Sequence, residues 1–156
     1  MALFASNGTL SKDLSAPLDR VREAIFNLLI NGTHGNPLPG ARVLDLFAGT
    51  GAMGLEALSR GAAHATLVDD GARAHALMRQ NITKARVQDK ASLLRRDATR
   101  LGRHEGPTFD VVFLDPPYGQ GRGEVALASA MQGDWIGAGA WIIWEESRPP
   151  MLPAGV

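Results

Sequence analysis

From residue 41 to 146 the chain alternates between two rhythms of apolar and polar positions. "ARVLDLF" (41–47), "ATLVD" (65–69), "ASLLRRD" (91–97), "FDVVFLD" (109–115) and "AWIIWEE" (140–146) are short apolar runs of strand length. Between them, "GLEALSRG" (54–61), "ARAHALMRQNITKA" (72–85) and "EVALASAM" (124–131) read as helices. Upstream, Val21, Ile25, Leu28 and Leu29 share one face of a helix predicted over 20–30, with Asp19 as its N-cap and Asn31-Gly32 as its stop. A Gly/Pro/Asn-rich linker fills 32–40. Residues 1–18 show no period and read as a loose N-terminal arm, which leaves 19–156 as a single domain. Strands alternating with helices predict an α/β fold, a mainly parallel central sheet with helices on both faces.

Ligands of such sheets bind beyond the carboxyl ends of the strands. Acids stand there: Asp45 in the first run, then Asp69, Asp97 and Asp115 at the ends of the next three. A core has no packing use for them, and burying an unpaired acid is costly, so the four predict one lined crevice. Behind Asp45, "LDLFAGTGAMG" holds a G-x-G-x-x-G at Gly49, Gly51 and Gly54, between a strand and a helix. Glycines alone suggest a dinucleotide site, and Asp69 sits where a ribose-binding acid belongs. Asp45 points elsewhere, because an acid beside the loop repels a pyrophosphate. S-adenosylmethionine suits the loop better: it carries a sulfonium and an ammonium, lacks phosphate and still has a ribose.

The run "FDVVFLDPPYG" (109–119) ends in an acid, two prolines and an aromatic residue. Proline fixes φ and lacks an N–H, and Pro117 confines Pro116 to extended backbone. Asp115 and the Pro116 carbonyl then form two acceptors suited to an exocyclic amino group, with Tyr118 as a stacking face for the base. By itself the motif reads equally as turn chemistry.

"VLDLFAGTGAMGLEALSRGA" together with "FLDPPYG" closely resembles the Rossmann-like class I methyltransferases that modify exocyclic amino groups of bases. With "LDRVREAIFNLL" before the first strand, the chain resembles the family that methylates guanine N2 of bacterial small-subunit (16S) ribosomal RNA, from about Asp19 to Glu146. The resemblance implies a sheet order of 3-2-1-4-5 and S-adenosylmethionine as cofactor. It implies that Asp45, Phe47, Gly49 and Gly51 line the methionine end, that Asp69 holds the ribose, and that Asp97 with the Ala98 backbone faces the adenine. Asp115, Pro116, Pro117 and Tyr118 would hold the target base, and ribosomal RNA or the small subunit would be the partner. Asp19, Arg20 and Arg22 fall on a helix that in the family lies beside the cleft.

Both ends depart from that family. "LSKDLSAPLDRVRE" replaces its basic hairpin and Arg-Pro-Thr segment, and "PPMLPAGV" stands where two further strands would finish the sheet. The expectation is therefore about five strands with an open edge at the last, a monomer or an edge-paired dimer, and weak binding of isolated RNA. The alternatives are a DNA adenine-N6 or cytosine-N4 methyltransferase, a dehydrogenase, or a cofactor-binding domain without catalysis.

Composition narrows these choices. The 156 residues suit one domain, and no cysteine is present, which excludes disulfides, thiolate zinc sites and a cysteine nucleophile. That usage fits a reducing, cytoplasmic setting. No run is long enough to span a membrane, the start lacks a signal-peptide pattern, and His34, His64, His75 and His104 have no metal-ligand spacing. Lys+Arg and Asp+Glu balance at 16 each, yet Lys84 to Arg103 holds seven basic residues and two acids, while Glu105 onward holds seven acids and two basic residues. A solvated helix face explains the basic stretch most simply; an RNA-facing stripe is the sharper reading. Trp135, Trp141 and Trp144 are expected to pack around the last strand, and Glu145 and Glu146 receive no role.

Overall fold

The apolar runs pair into one sheet in a computed structural model, which describes residues 2–5, 8–13, 18–33, 35–117 and 119–146. In chain order the elements are β1 (Ala2–Ala5), β2 (Gly8–Asp13), α1 (Leu18–Asn31), β3 (Arg42–Leu46), α2 (Ala52–Ser59), β4 (His64–Val68), α3 (Ala72–Ala85), β5 (Ala91–Leu94), β6 (Phe109–Leu114), α4 (Arg122–Gln132) and β7 (Ile136–Glu146). A single 3-10 turn covers Ala98–Arg100. The sheet order is β2-β1-β7-β6-β3-β4-β5. Its last five strands are parallel and have the predicted 3-2-1-4-5 order.

The start of the chain corrects the sequence reading. Residues 2–5 and 8–13 are not a loose arm. β1 and β2 pair antiparallel, and β1 runs antiparallel along β7, matching Ala2 to Glu146 and Ala5 to Ile143. β7 is therefore an interior strand, and the open edge expected there is filled by the chain's own hairpin. The physical reason is that an unpaired row of backbone N–H and C=O groups takes a partner strand whatever the partner's side-chain period. α1 begins at Leu18, which puts Asp19 in its first turn instead of at its cap.

Two apolar layers clamp the sheet. On one face Val21, Ile25, Phe26 and Leu29 of α1, Ala57 and Leu58 of α2, and Met78 and Ile82 of α3 cover Val43, Leu67, Val111, Phe113 and Ile143. The Phe26 and Phe113 rings meet at 5.7 Å. On the other, Ala126, Leu127 and Ala130 of α4 cover Leu44, Leu46, Val112, Leu114, Ile142 and Trp144. The tryptophans pack as expected, with Trp135 and Trp144 almost fully buried. Trp135 stacks on His104 at 4.4 Å. No helix among the described residues is long and apolar enough to cross a membrane.

Candidate active site

Parallel register decides which strand-end residues share a face. Leu67, Asp45, Phe113 and Ile143 form one row across β4, β3, β6 and β7. Side chains two residues apart return to the same face. Asp69, Asp115 and Glu145 each lie two residues beyond a member of that row, so these acids and Asp45 crowd the carboxyl end of the sheet on the α1–α3 side.

Asp45 lies on β3, ahead of the strand's end, and is 2% exposed. Its Oδ2 accepts the Gly54 N–H at 3.0 Å, satisfying one of the free donors in the first turn of α2. Burial is the main force that lifts its pKa to about 7; Asp115 and Asp69 add to the rise, and the Gly54 N–H opposes it. Gly51 is the N-cap of α2 in a left-handed conformation (φ 81°), which a side chain rarely adopts. Phe47 also has positive φ (59°), a strained geometry for a bulky residue. It begins the loop that carries Gly49, whose N–H donates to Asp69 Oδ2 at 3.0 Å. Asp69 Oδ1 accepts the Gly71 N–H at 2.9 Å. This acid thus binds two loop segments together and fixes the mouth of the crevice.

Asp97 stands three residues past the end of β5. It caps the 3-10 turn, accepting from Thr99 N at 2.9 Å and Thr99 Oγ1 at 2.7 Å. Those bonds, with help from Arg122, hold its pKa below the usual range. Ala98 beside it is buried. Arg122, in the first turn of α4, donates to Asp97 Oδ1 at 3.3 Å, and its guanidinium lies 5.6 Å from the Phe47 ring centroid. Sequence reading gave Arg122 no part here. Its partners are 25 and 75 positions away in the chain, and the signal available was a lone arginine in a helix start.

Across the crevice, Asp115 is exposed, Pro116 buried and Pro117 exposed. Tyr118 lies outside the described residues. Glu145 is the second residue that sequence reading left without a role. It is 6% exposed, and burial, then Asp115 and Asp45, push its pKa to about 7 against a smaller pull from the chain's amino group. The structure therefore brings Asp45, Phe47, Gly49, Gly51 and Asp69 into one loop cluster. Asp97 and Ala98 flank it, and Asp115, Pro116 and Pro117 stand on the neighbouring strand end. Among the described residues no group of three or more His, Asp or Glu has the arrangement of a metal site.

Comparison with known proteins places this architecture. Residues 10–156 match the family described as Conserved hypothetical protein 95. The ribosomal RNA small subunit methyltransferase D of Escherichia coli (strain K12) is 33% identical, over 92% of this chain and 71% of its own. Its namesake from Haemophilus influenzae is 31% identical, over 92% and 74%. The solved structure of the Escherichia coli protein yhhF superposes with a TM-score of 0.74 at 31% identity, covering 92% of this chain and 79% of that one. With its five-stranded parallel core and glycine loop, the chain has the Rossmann-like methyltransferase fold and belongs to the family of Conserved hypothetical protein 95, alongside these small-subunit methyltransferases.

Proposed function

We propose that the protein transfers a methyl group from S-adenosylmethionine to the exocyclic N2 amine of a guanine in small-subunit ribosomal RNA, in the cytoplasm. One observation carries the cofactor half. The Gly49 and Gly54 N–H groups, which a dinucleotide's pyrophosphate would need, are already donated to Asp69 and Asp45 at 3.0 Å each. A phosphate would meet occupied donors and two acids, whereas a cationic ligand gains from both. Asp45 would face the ammonium and sulfonium. A carboxylate has about four acceptor positions, so Asp69 keeps capacity for ribose hydroxyls beyond its two backbone bonds. Asp97 and Ala98 would border the adenine. When bound, the cofactor supplies a methyl group made electrophilic by the sulfonium.

For the substrate half, the support is the Asp115-Pro-Pro run beside that loop and the names of the relatives. A guanine amino group is a poor nucleophile because its lone pair is delocalised into the ring. Asp115 and the Pro116 carbonyl would accept its two N–H bonds and draw the nitrogen toward a tetrahedral state. Holding the amine in line with the methyl supplies much of the rate. Tyr118 would stack on the base after it leaves its helix.

Labelled methyl transfer to ribosomal subunits, ribosomal RNA and DNA, followed by nucleoside analysis, tests the reading. N2-methylguanosine from small-subunit RNA is expected. Methylated adenine or cytosine in DNA would replace the substrate half, and tight NAD binding would overturn the cofactor half.

A further inference from the structure

We propose that Glu145 is the residue that selects guanine, by accepting the hydrogen of guanine N1 while Asp115 accepts that of N2. This rests on the guanine-N2 reading above and extends it to a second strand. The β6–β7 ladder pairs Leu114 with Trp144, so Asp115 and Glu145 are the next residues on adjacent strands, about 5 Å apart if the rung spacing continues. Both return to the face that carries Asp45. Asp115 is exposed and Glu145 is 6% exposed; one carboxylate stands at the crevice opening and the other at its floor. The hairpin strand β1 seals the far side of Glu145, pairing it with Leu3. No hydrogen bond or ion pair to the Glu145 carboxylate is found among the described residues.

A largely buried carboxylate gains from any donor a ligand brings to it. Guanine supplies it in the right place. Its N1–H and N2–H groups are neighbouring donors on the Watson–Crick edge. Adenine and cytosine instead place a bare acceptor nitrogen beside their amino group, which a second acid would repel. Asp115 and the Pro116 carbonyl account for both N2 hydrogens, and neither can serve N1, so the floor acid fills the remaining requirement. Burial, then Asp115 and Asp45, raise its pKa to about 7 against a smaller pull from the chain's amino group, and an N1–H donor placed against it favours the ionised, accepting form.

The test uses the full chain and an RNA carrying its mapped target guanine, with 2-aminopurine placed at the same position. That analogue keeps the 2-amino group but has an unprotonated N1. The wild type should prefer guanine in kcat/KM by about 10- to 100-fold, the range expected for one good base-edge contact. Glu145→Gln can turn its amide N–H toward the bare N1, so the preference should collapse or reverse, while cofactor affinity stays within about twofold. Glu145→Asp, which keeps the acid but retracts it, should show an intermediate preference, and serves if the glutamine variant does not fold. A guanine preference unchanged in the variants, or no preference in the wild type, overturns the assignment. If the mapped product is not N2-methylguanosine, the underlying reading fails first, and the nucleoside analysis shows this independently.

Discussion

Asp45 holds one backbone N–H in a nearly dry site and borders two other acids, so it keeps its proton up to about pH 7, and a bound cation favours its release. An acid whose folded pKa is raised favours the fold below its unfolded value and loses that contribution as pH climbs through the folded value. For Asp45 the window runs from about 4 to about 7, at roughly 1.4 kcal/mol per pH unit at most. Asp45→Asn keeps an oxygen for Gly54 and removes the titration. It should flatten the fall in melting temperature of the ligand-free protein across pH 5–8, as followed by circular dichroism. In the wild type, S-adenosylmethionine affinity should rise with pH up to about 7 and then level off, with proton release in calorimetry. The Asn variant should bind weakly at every pH. An unaltered pH profile in the variant would remove Asp45 from the cofactor site. Asp115→Ala bears on the other half: loss of an acceptor that acts as charge develops should lower turnover on the order of 100-fold, with cofactor affinity retained, as single-turnover assays would show. Acids at strand ends made Asp45, Asp69, Asp97 and Asp115 legible in the sequence. Glu145 was not, because a glutamate near the end of the last strand carries no local sign of the acids it meets across the sheet.

Short apolar runs separated by helical spacing are local signals, and all five parallel strands and four helices were legible for that reason. The β1–β2 hairpin was not. Its strands carry little alternation, and what holds them is the ladder offered by β7, a contact more than 130 residues away in sequence. The Asn7-Gly8 pair was the available clue. Side-chain patterns are equally silent on how closely two elements approach. Gly123 in α4 faces the Trp144 indole so tightly that a Cβ there would lie 2.5 Å from Cζ2 and 2.8 Å from Nε1. Trp144 is fixed between α4 and the sheet at 1% exposure and has no space to retreat. Gly123→Ala should therefore cost about 1–3 kcal/mol, as overpacking of a filled core does, despite alanine's better helix propensity. Because α4 also carries Arg122, the displacement should disturb the Arg122–Asp97 contact. That pair is about one-third exposed on each side and adds little to stability itself. Urea unfolding of Gly123→Ala and Arg122→Ala separates the two effects: the first variant should lose stability, and the second should stay within about 1 kcal/mol of wild type.

At the scale of the whole molecule, the zero net charge conceals a division. The crevice floor is acidic, from Asp45 to Glu145, and repels phosphates. The basic stretch follows α3 and β5 along the sheet edge opposite the hairpin, and all seven of its Lys and Arg residues are exposed. An RNA strand that presents one base to Asp115 must keep its phosphates off the floor and on such an edge. Position along β5 then decides which cations serve. Arg95 and Arg100 follow the carboxyl end of that strand, the end at which the crevice opens. Lys90 precedes the other end, about 13 Å away at strand rise. Arg96 is bound to structure, donating to the Leu101 carbonyl at 2.7 Å. Replacing Arg95 and Arg100 together by alanine should weaken RNA binding and reduce the slope of log K against log salt by about 1.4, the loss of two single-strand phosphate contacts. Lys84→Ala with Lys90→Ala removes the same charge from the far end and should change the slope much less. Cofactor affinity should be unmoved in the lysine pair and should fall less than RNA affinity in the arginine pair, which flanks Asp97 and Ala98, because the glycine loop, Asp45 and Asp69 lie on inner strands. Gel-shift titrations at several salt concentrations distinguish the pairs. Equal slopes in both double variants would mean that the edge acts only as a diffuse field, and that the register of RNA on the crevice is set by the base pocket alone.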